Sequence, residues 1–112
     1  MNFTGRTAVI TGGSRGIGRA ICLKLAYGGA SIVFSYAGNT AAAEETAAAV
    51  RQLGAPCVSV QGDVADEAAV KVLTDTALRE YGRLDILVNN AGITRDGLLL
   101  MMKPTDFDAV IS

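Results

Sequence analysis

Four glycines, Gly12, Gly13, Gly16 and Gly18, punctuate the stretch Thr11-Gly12-Gly13-Ser14-Arg15-Gly16-Ile17-Gly18, directly after the apolar run Ala8-Val9-Ile10. Residues of this kind can cradle a phosphate. A helix beginning here presents unpaired N–H groups and the positive end of its dipole, and glycine keeps side chains clear of a bound pyrophosphate. On this reading Gly12 makes the sharp exit from a strand, Gly16 lets the backbone approach the ligand, and Gly18 permits tight helix-to-strand packing. A plain strand-to-helix turn would use the same residues. The order strand, turn, helix, second strand favours the phosphate cradle.

Three further stretches carry chemistry. In dinucleotide folds that use NAD, an acidic residue about 20 residues beyond the glycines accepts hydrogen bonds from the adenosine ribose. Here that region reads Phe34-Ser35-Tyr36-Ala37-Gly38-Asn39, without a carboxylate. An aspartate there would repel a 2′-phosphate, whereas Arg15 could pair with one and Ser35 and Asn39 could donate hydrogen bonds to it, so NADP is preferred over NAD. Asp63 of Gln61-Gly62-Asp63-Val64 could accept from an adenine amino group with Val64 against the ring, or it could help to cap the next helix. Asn89-Asn90-Ala91-Gly92 offers two amides that can tie strand backbones together and two small residues that leave room for a cofactor; alone it could also be an ordinary turn.

The elements that must position these residues follow from periodicity. Apolar, β-branched runs begin near Thr7, Ser31, Cys57 and Leu84, at separations of 24, 26 and 27 residues. Continuous rather than alternating apolar strands suit a parallel sheet buried on both faces, and the spacing is that of repeated βα units. The predicted strands are 7–10, 32–35, 57–60 and 84–88. The predicted helices run from Gly16 to Tyr27, from Thr40 to Leu53 and from near Asp66 to Tyr81. The first carries Ile17, Ile21 and Leu25 on its apolar stripe, the second is alanine-rich and suited to close packing, and the third aligns Val70, Leu73, Ala77 and Tyr81. Gly28-Gly29, Gly54 and Gly82 are the stop signals. A fourth helix is expected from Pro104, with Asp106 near its positive end, running to Ser112. In that arrangement the fourth strand has an uncovered outer edge, and the run Leu98-Leu99-Leu100-Met101-Met102 lacks a partner surface. Both features suggest half of a larger unit, and an aggregation-prone piece when alone.

Composition narrows the class. The 112 residues are 50% hydrophobic with a net charge of −1, which exerts no general pull toward nucleic acid or anionic membrane. Residues 1–43 hold Arg6, Arg15, Arg19 and Lys24 and no acidic residue, so the glycine turn lies in the positive part of the chain. No run is long enough to span a membrane and the N-terminus lacks a signal-peptide pattern, which makes a cytoplasmic protein the default expectation. There is no histidine, and Cys22 and Cys57 have no metal-ligand spacing, so they are read as small buried residues and no metal site is expected.

Taken together, the motifs resemble those of the short-chain dehydrogenase/reductase family: its TGxxxGxG pattern is met by Thr11, Gly12, Gly16 and Gly18, and its NNAG element by Asn89 to Gly92. The resemblance spans the chain and implies an α/β, Rossmann-type doubly wound parallel sheet with strand order 3-2-1-4. It is sharpest, over Met1-Asn2-Phe3, Gly12 to Ile21, Ser35 to Asn39 and Asn90 to Asp96, to the members that use NADPH to reduce 3-oxoacyl thioesters on acyl carrier protein in fatty acid biosynthesis. It implies cofactor contacts from Thr11, Gly12, Gly13, Ser14, Arg15, Gly16, Ile17, Gly18, Tyr36, Ala37, Asp63, Val64, Asn90, Ala91 and Gly92, a homo-oligomer at full length, and residues 1–112 as an NADP-binding half-domain. The family's catalytic asparagine, serine and Tyr-x-x-x-Lys pair do not carry over: Tyr27, Tyr36 and Tyr81 are not followed four residues later by lysine. The chain alone is therefore expected to be inactive. A reductase for acetoacetyl-CoA, a sugar or a steroid alcohol, and a non-catalytic dinucleotide-binding module, are the competing readings.

Overall fold

The computed structural model describes residues 2–13, 16–62, 67–90, 99–102 and 110–111. Among the described residues nine elements follow in order: β1 (Thr7–Ile10), α1 (Gly16–Tyr27), β2 (Ser31–Tyr36), α2 (Thr40–Gln52), β3 (Cys57–Gln61), α3 (Glu67–Tyr81), β4 (Ile86–Asn89), β5 (Leu99–Met102) and β6 (Val110–Ile111). The sheet order is β3-β2-β1-β4-β5-β6. The first four strands in this order pair in parallel, with Val9 opposite Val33 and Leu87, and Val33 opposite Val58. This is the expected 3-2-1-4 arrangement.

The strands are apolar throughout because both faces are covered. Ala8, Ile10, Ile32, Phe34, Ile86 and Val88 pack into a core with Cys22 and Ala26 of α1 and Ala43, Ala47 and Val50 of α2. The alternate residues Val9 and Val33 meet Leu73 and Ala77 of α3 on the opposite face. One helix pair and one helix thus sandwich the sheet, as right-handed crossovers require.

The buried stripe of α1 differs from the expected one. Gly18, Cys22 and Ala26 face the core, Ile21 and Leu25 flank it, and Ile17 is 61% exposed. Small residues let the helix sit close to the sheet, which an isoleucine at its first turn would prevent. Alanines on α2 serve the same close packing. That helix ends at Gln52, with Leu53 as its C-cap and Gly54 at φ +92°, and begins at Asn39, whose Oδ1 accepts from the Ala42 N–H at 3.0 Å.

At the other side of the sheet the structure departs from expectation. The outer edge of β4 is not bare: β5 pairs with it antiparallel, Val88 opposite Leu100, and β6 pairs in turn with β5. The run ending at Met102 thus supplies the missing partner, because backbone N–H and C=O groups along β4 need acceptors and donors more than that segment needs a surface of its own. Consequently Val110–Ile111 is strand rather than the end of a helix; Pro104 and Asp106, like Asp66, lie outside the described residues.

The fourth strand also starts at Ile86 instead of Leu84, and Asp85 explains why. Its backbone N–H donates to the Thr7 carbonyl at 2.9 Å, while its carboxylate accepts from the Thr7 N–H at 2.8 Å and from Arg83 Nε and Nη2 at 2.6 and 2.5 Å. A side chain has taken over a ladder position. This buried carboxylate, fully satisfied by a half-exposed guanidinium and a backbone donor, joins β1 to β4 at the end of the sheet opposite the glycine turn.

Candidate functional site

The C-terminal ends of β1, β2, β3 and β4 form one rim, because the four strands are parallel and adjacent. In open α/β sheets this is where ligands bind. β1 delivers Thr11, whose N–H continues the ladder to the Val88 carbonyl at 3.0 Å and whose hydroxyl donates to Asn89 Oδ1 at 3.1 Å. Gly12 then turns the chain at φ +70°, a left-handed conformation that side chains disfavour.

The turn is held from both sides. On the β2 side Ser35 accepts twice: its Oγ from the Gly12 N–H at 3.0 Å and its carbonyl from the Gly13 N–H at 2.9 Å. On the β4 side Asn90 Nδ2 donates to the Gly12 carbonyl at 2.9 Å. The two asparagines thus tie strand ends together, as their amide chemistry suggested.

Each glycine has a distinct physical reason. A Cβ on Gly18 would collide with the Gly12 carbonyl oxygen and lie 2.5 Å from Asn90 Nδ2. A Cβ on Gly13 would lie 2.7 Å from Phe34 Cβ and 2.9 Å from Cys22 Sγ, so this glycine is demanded by packing. Gly16 is the opposite case. At φ +63° it opens α1 with, among the described residues, nothing within 4 Å of where a side chain would project. This is the helix N-terminus, where the first-turn N–H groups have no intrahelical acceptor and the dipole is positive. The arrangement fits a pyrophosphate.

Beside the turn, the end of β2 is buttressed from β3: the Gly62 N–H donates to the Tyr36 carbonyl at 2.9 Å and Gln61 Nε2 to the Ala37 carbonyl at 3.3 Å. Tyr36 is partly buried against the α1/α2 core. The structure therefore brings Thr11, Gly12, Gly13, Gly16, Ile17, Gly18, Tyr36, Ala37 and Asn90 to one rim. Ser14, Arg15, Asp63, Val64, Ala91 and Gly92 lie outside the described residues.

Two assignments change. Ser35 is 1% exposed and turned onto Gly12, so it cannot reach a 2′-phosphate. Asn39 is committed through its oxygen to capping α2, leaving its amide nitrogen as the end a phosphate could meet. The second role has a local signal, an asparagine directly before a helical pattern. A serine inside an apolar strand, one residue before the strand's end, is the only hint of the first.

No described group offers acid–base chemistry at this rim. Tyr81 ends α3 against the opposite face of the sheet, and burial, reinforced by the neighbouring Cys57 and Glu80, pushes its phenol up, away from the lowered value an acid catalyst needs. Cys22 and Cys57 are buried and unpaired to one another; desolvation raises both thiols, Cys57 to about 11. Among the described residues no group of His, Cys, Asp and Glu could hold a metal ion, and no helix is long and apolar enough to cross a membrane. A groove of about 560 Å³ between Leu23, Lys24 and Tyr27 of α1 and Ala49, Gln52 and Leu53 at α2 lies at the far end of α1 from the glycine turn.

The sequence pattern of the short chain dehydrogenases matches residues 6–112. The chain belongs to that family. It is 46% identical over 109 residues to a 3-oxoacyl-(acyl-carrier-protein) reductase of Synechocystis, covering 97% of this chain and 44% of the relative. It spans 43% to 44% of the length of the curated relatives it matches. Among solved structures, a short-chain dehydrogenase from Burkholderia cenocepacia in complex with NADP superposes with a TM-score of 0.78 at 42% identity, covering 85% of this chain and 39% of that one. A carveol dehydrogenase from Mycobacterium avium in complex with NAD gives 0.73 at 35% identity, covering 80% and 36%. The fold and the family agree with the motif reading, and the chain is of an oxidoreductase family.

Proposed function

We propose that this chain is the NADP-binding half of a cytoplasmic reductase that converts 3-oxoacyl groups on acyl carrier protein to 3-hydroxyacyl groups in fatty acid biosynthesis, working as a homo-oligomer at full length. The observation that carries the cofactor reading is Gly16: positive φ, nothing among the described residues where a side chain would project, and the N-terminus of α1. The substrate reading is supported by the similarity to the Synechocystis reductase.

In this reading the bound nicotinamide supplies a hydride, and the chain's own residues bind and orient the cofactor. The first-turn N–H groups of α1 face the pyrophosphate. Arg15 and the Asn39 amide meet the 2′-phosphate, Asp63 and Val64 the adenine, and Ala91 and Gly92 leave room beside Asn90 for the rest of the molecule. A 2′-phosphate is favoured because the segment Ser35 to Asn39 holds no carboxylate to repel it. The NAD-bound carveol dehydrogenase supports a second reading, NAD in the same cradle.

Calorimetric titration of the chain with NADPH and NADH separates the two. Tighter NADPH binding, with the gap narrowed by Arg15→Ala, is expected; equal affinities would sink the 2′-phosphate argument. No turnover of acetoacetyl thioesters is expected from the 112 residues alone, since no tyrosine stands four residues before a lysine.

A further inference from the structure

The glycine turn is gripped by a residue that no phosphate-binding pattern requires. Ser35 lies within β2, 1% exposed, one position before the strand ends at Tyr36. In a parallel ladder its carbonyl would be expected to take a neighbour's N–H, as it does from Gly13. Its side chain does something additional. Oγ accepts the Gly12 N–H at 3.0 Å, while the carbonyl of the same glycine is held by Asn90 Nδ2 at 2.9 Å. Both faces of the turn are therefore tied to neighbouring strands before any ligand arrives.

Two consequences follow from the geometry. The Gly12 and Gly13 N–H groups are spent on Ser35, so a phosphate over the turn must be met by donors further along the chain, those of the first turn of α1 among them. Second, the position of that first turn depends on where Gly12 is held, because Gly18 packs directly on the Gly12 carbonyl and has no room to yield. We propose that Ser35 is a positioning residue for the dinucleotide cradle: by fixing Gly12 it presets the height of the α1 N-terminus over the rim, without touching the cofactor. The inference deepens the cofactor reading given under Proposed function and rests on it for the identity of the ligand.

The test has a part that needs no variant. In the 112-residue chain, amide hydrogen exchange followed by NMR should find the Gly12 and Gly13 amides protected without ligand and unchanged on adding NADPH, while Ile17 and Gly18 gain protection. A Gly12 amide that exchanges freely until NADPH is added would overturn the proposal. In the Ser35→Ala chain the Gly12 protection should be lost, and affinity should fall for NADPH and NADH by the same factor, about tenfold, equivalent to about 1.4 kcal/mol. A loss confined to NADPH would mean that Ser35 meets the 2′-phosphate after all, and no loss for either would remove its role. If the parent chain binds neither nucleotide, the functional reading fails, while Gly12 protection in the parent and its loss in Ser35→Ala still decide whether Ser35 holds the turn.

Discussion

Gly16 and Gly18 are two residues apart and identical in chemistry, yet they answer to different constraints. Alanine at Gly18 would drive its methyl into the Gly12 carbonyl, so Gly18→Ala should cost about 1–3 kcal/mol of stability as well as binding. Alanine at Gly16 meets no atom of the described residues and has the left-handed φ to bear, about 1–2 kcal/mol, but its methyl would stand where the pyrophosphate is expected. Gly16→Ala should thus retain most of its thermal stability and lose NADPH affinity disproportionately, as melting curves and titrations on the same samples would reveal. Equal proportional effects of the two variants would contradict the division of labour. The thiols supply a pH test at this scale. A folded-state pKa raised to about 11 keeps Cys57 protonated, so its alkylation in the native chain should stay slow up to about pH 9 and become fast only on unfolding. The sign follows from burial: the native state disfavours the thiolate, so stability contributed by the neutral thiol is present below the unfolded value near 9 and declines above it.

Between elements, polar side chains decide geometry that apolar patterning leaves open. Asn39 is the N-cap of α2 and also ends the segment in which an NAD-binding fold carries its ribose-binding acid. Asn39→Asp keeps the capping oxygen and suits the helix dipole, so stability should be held or improved by a few tenths of a kcal/mol. At the same time it adds the repelling charge, and the NADPH-to-NADH affinity ratio should fall; an unchanged ratio would place the 2′-phosphate elsewhere. At the opposite end of the sheet, Asp85→Ala removes the carboxylate that accepts from the Thr7 N–H and from Arg83. A loss of about 2–3 kcal/mol is expected, read by denaturant melts, with the cofactor preference unaltered. These cases also mark what could be read from sequence. Repeating apolar runs such as Ala8 to Ile10 and Ile32 to Phe34 revealed parallel βα units because burial on both faces leaves no other composition. Ser35 and Asp85 are illegible in their roles because a hydrogen bond to a distant backbone group leaves no period, whereas Asn39 acts locally, on the Ala42 N–H. Ile17 was misplaced on the buried stripe for a related reason: hydrophobicity alone cannot foresee that the helix must seat on Gly18, Cys22 and Ala26.

For the molecule as a whole, the sheet's two halves are built on different principles. The strands from β3 to β4 are held by helices packed on both faces, whereas β5 and β6 join through antiparallel backbone pairing on the outer edge of β4. That pairing removes the long apolar edge which the periodicity of the sequence leaves exposed, and replaces it with β6, a strand of 2 residues. Short edges offer little template for pairing with another chain. Leu100 stands opposite Val88 on one side and Ile111 on the other, so whichever strand its N–H faces, proline there removes a ladder bond. Leu100→Pro should release β5, uncover β4, and shift the chain toward large species in light scattering at a concentration where the parent does not aggregate. Because the glycine rim draws on β1, β2 and β4 but not on β5, the fraction of Leu100→Pro that stays in solution should bind NADPH as the parent does. Scattering equal to the parent's would mean that the β4 edge is harmless when bare; binding lost in the soluble fraction would mean that the rim depends on the outer strands for its shape.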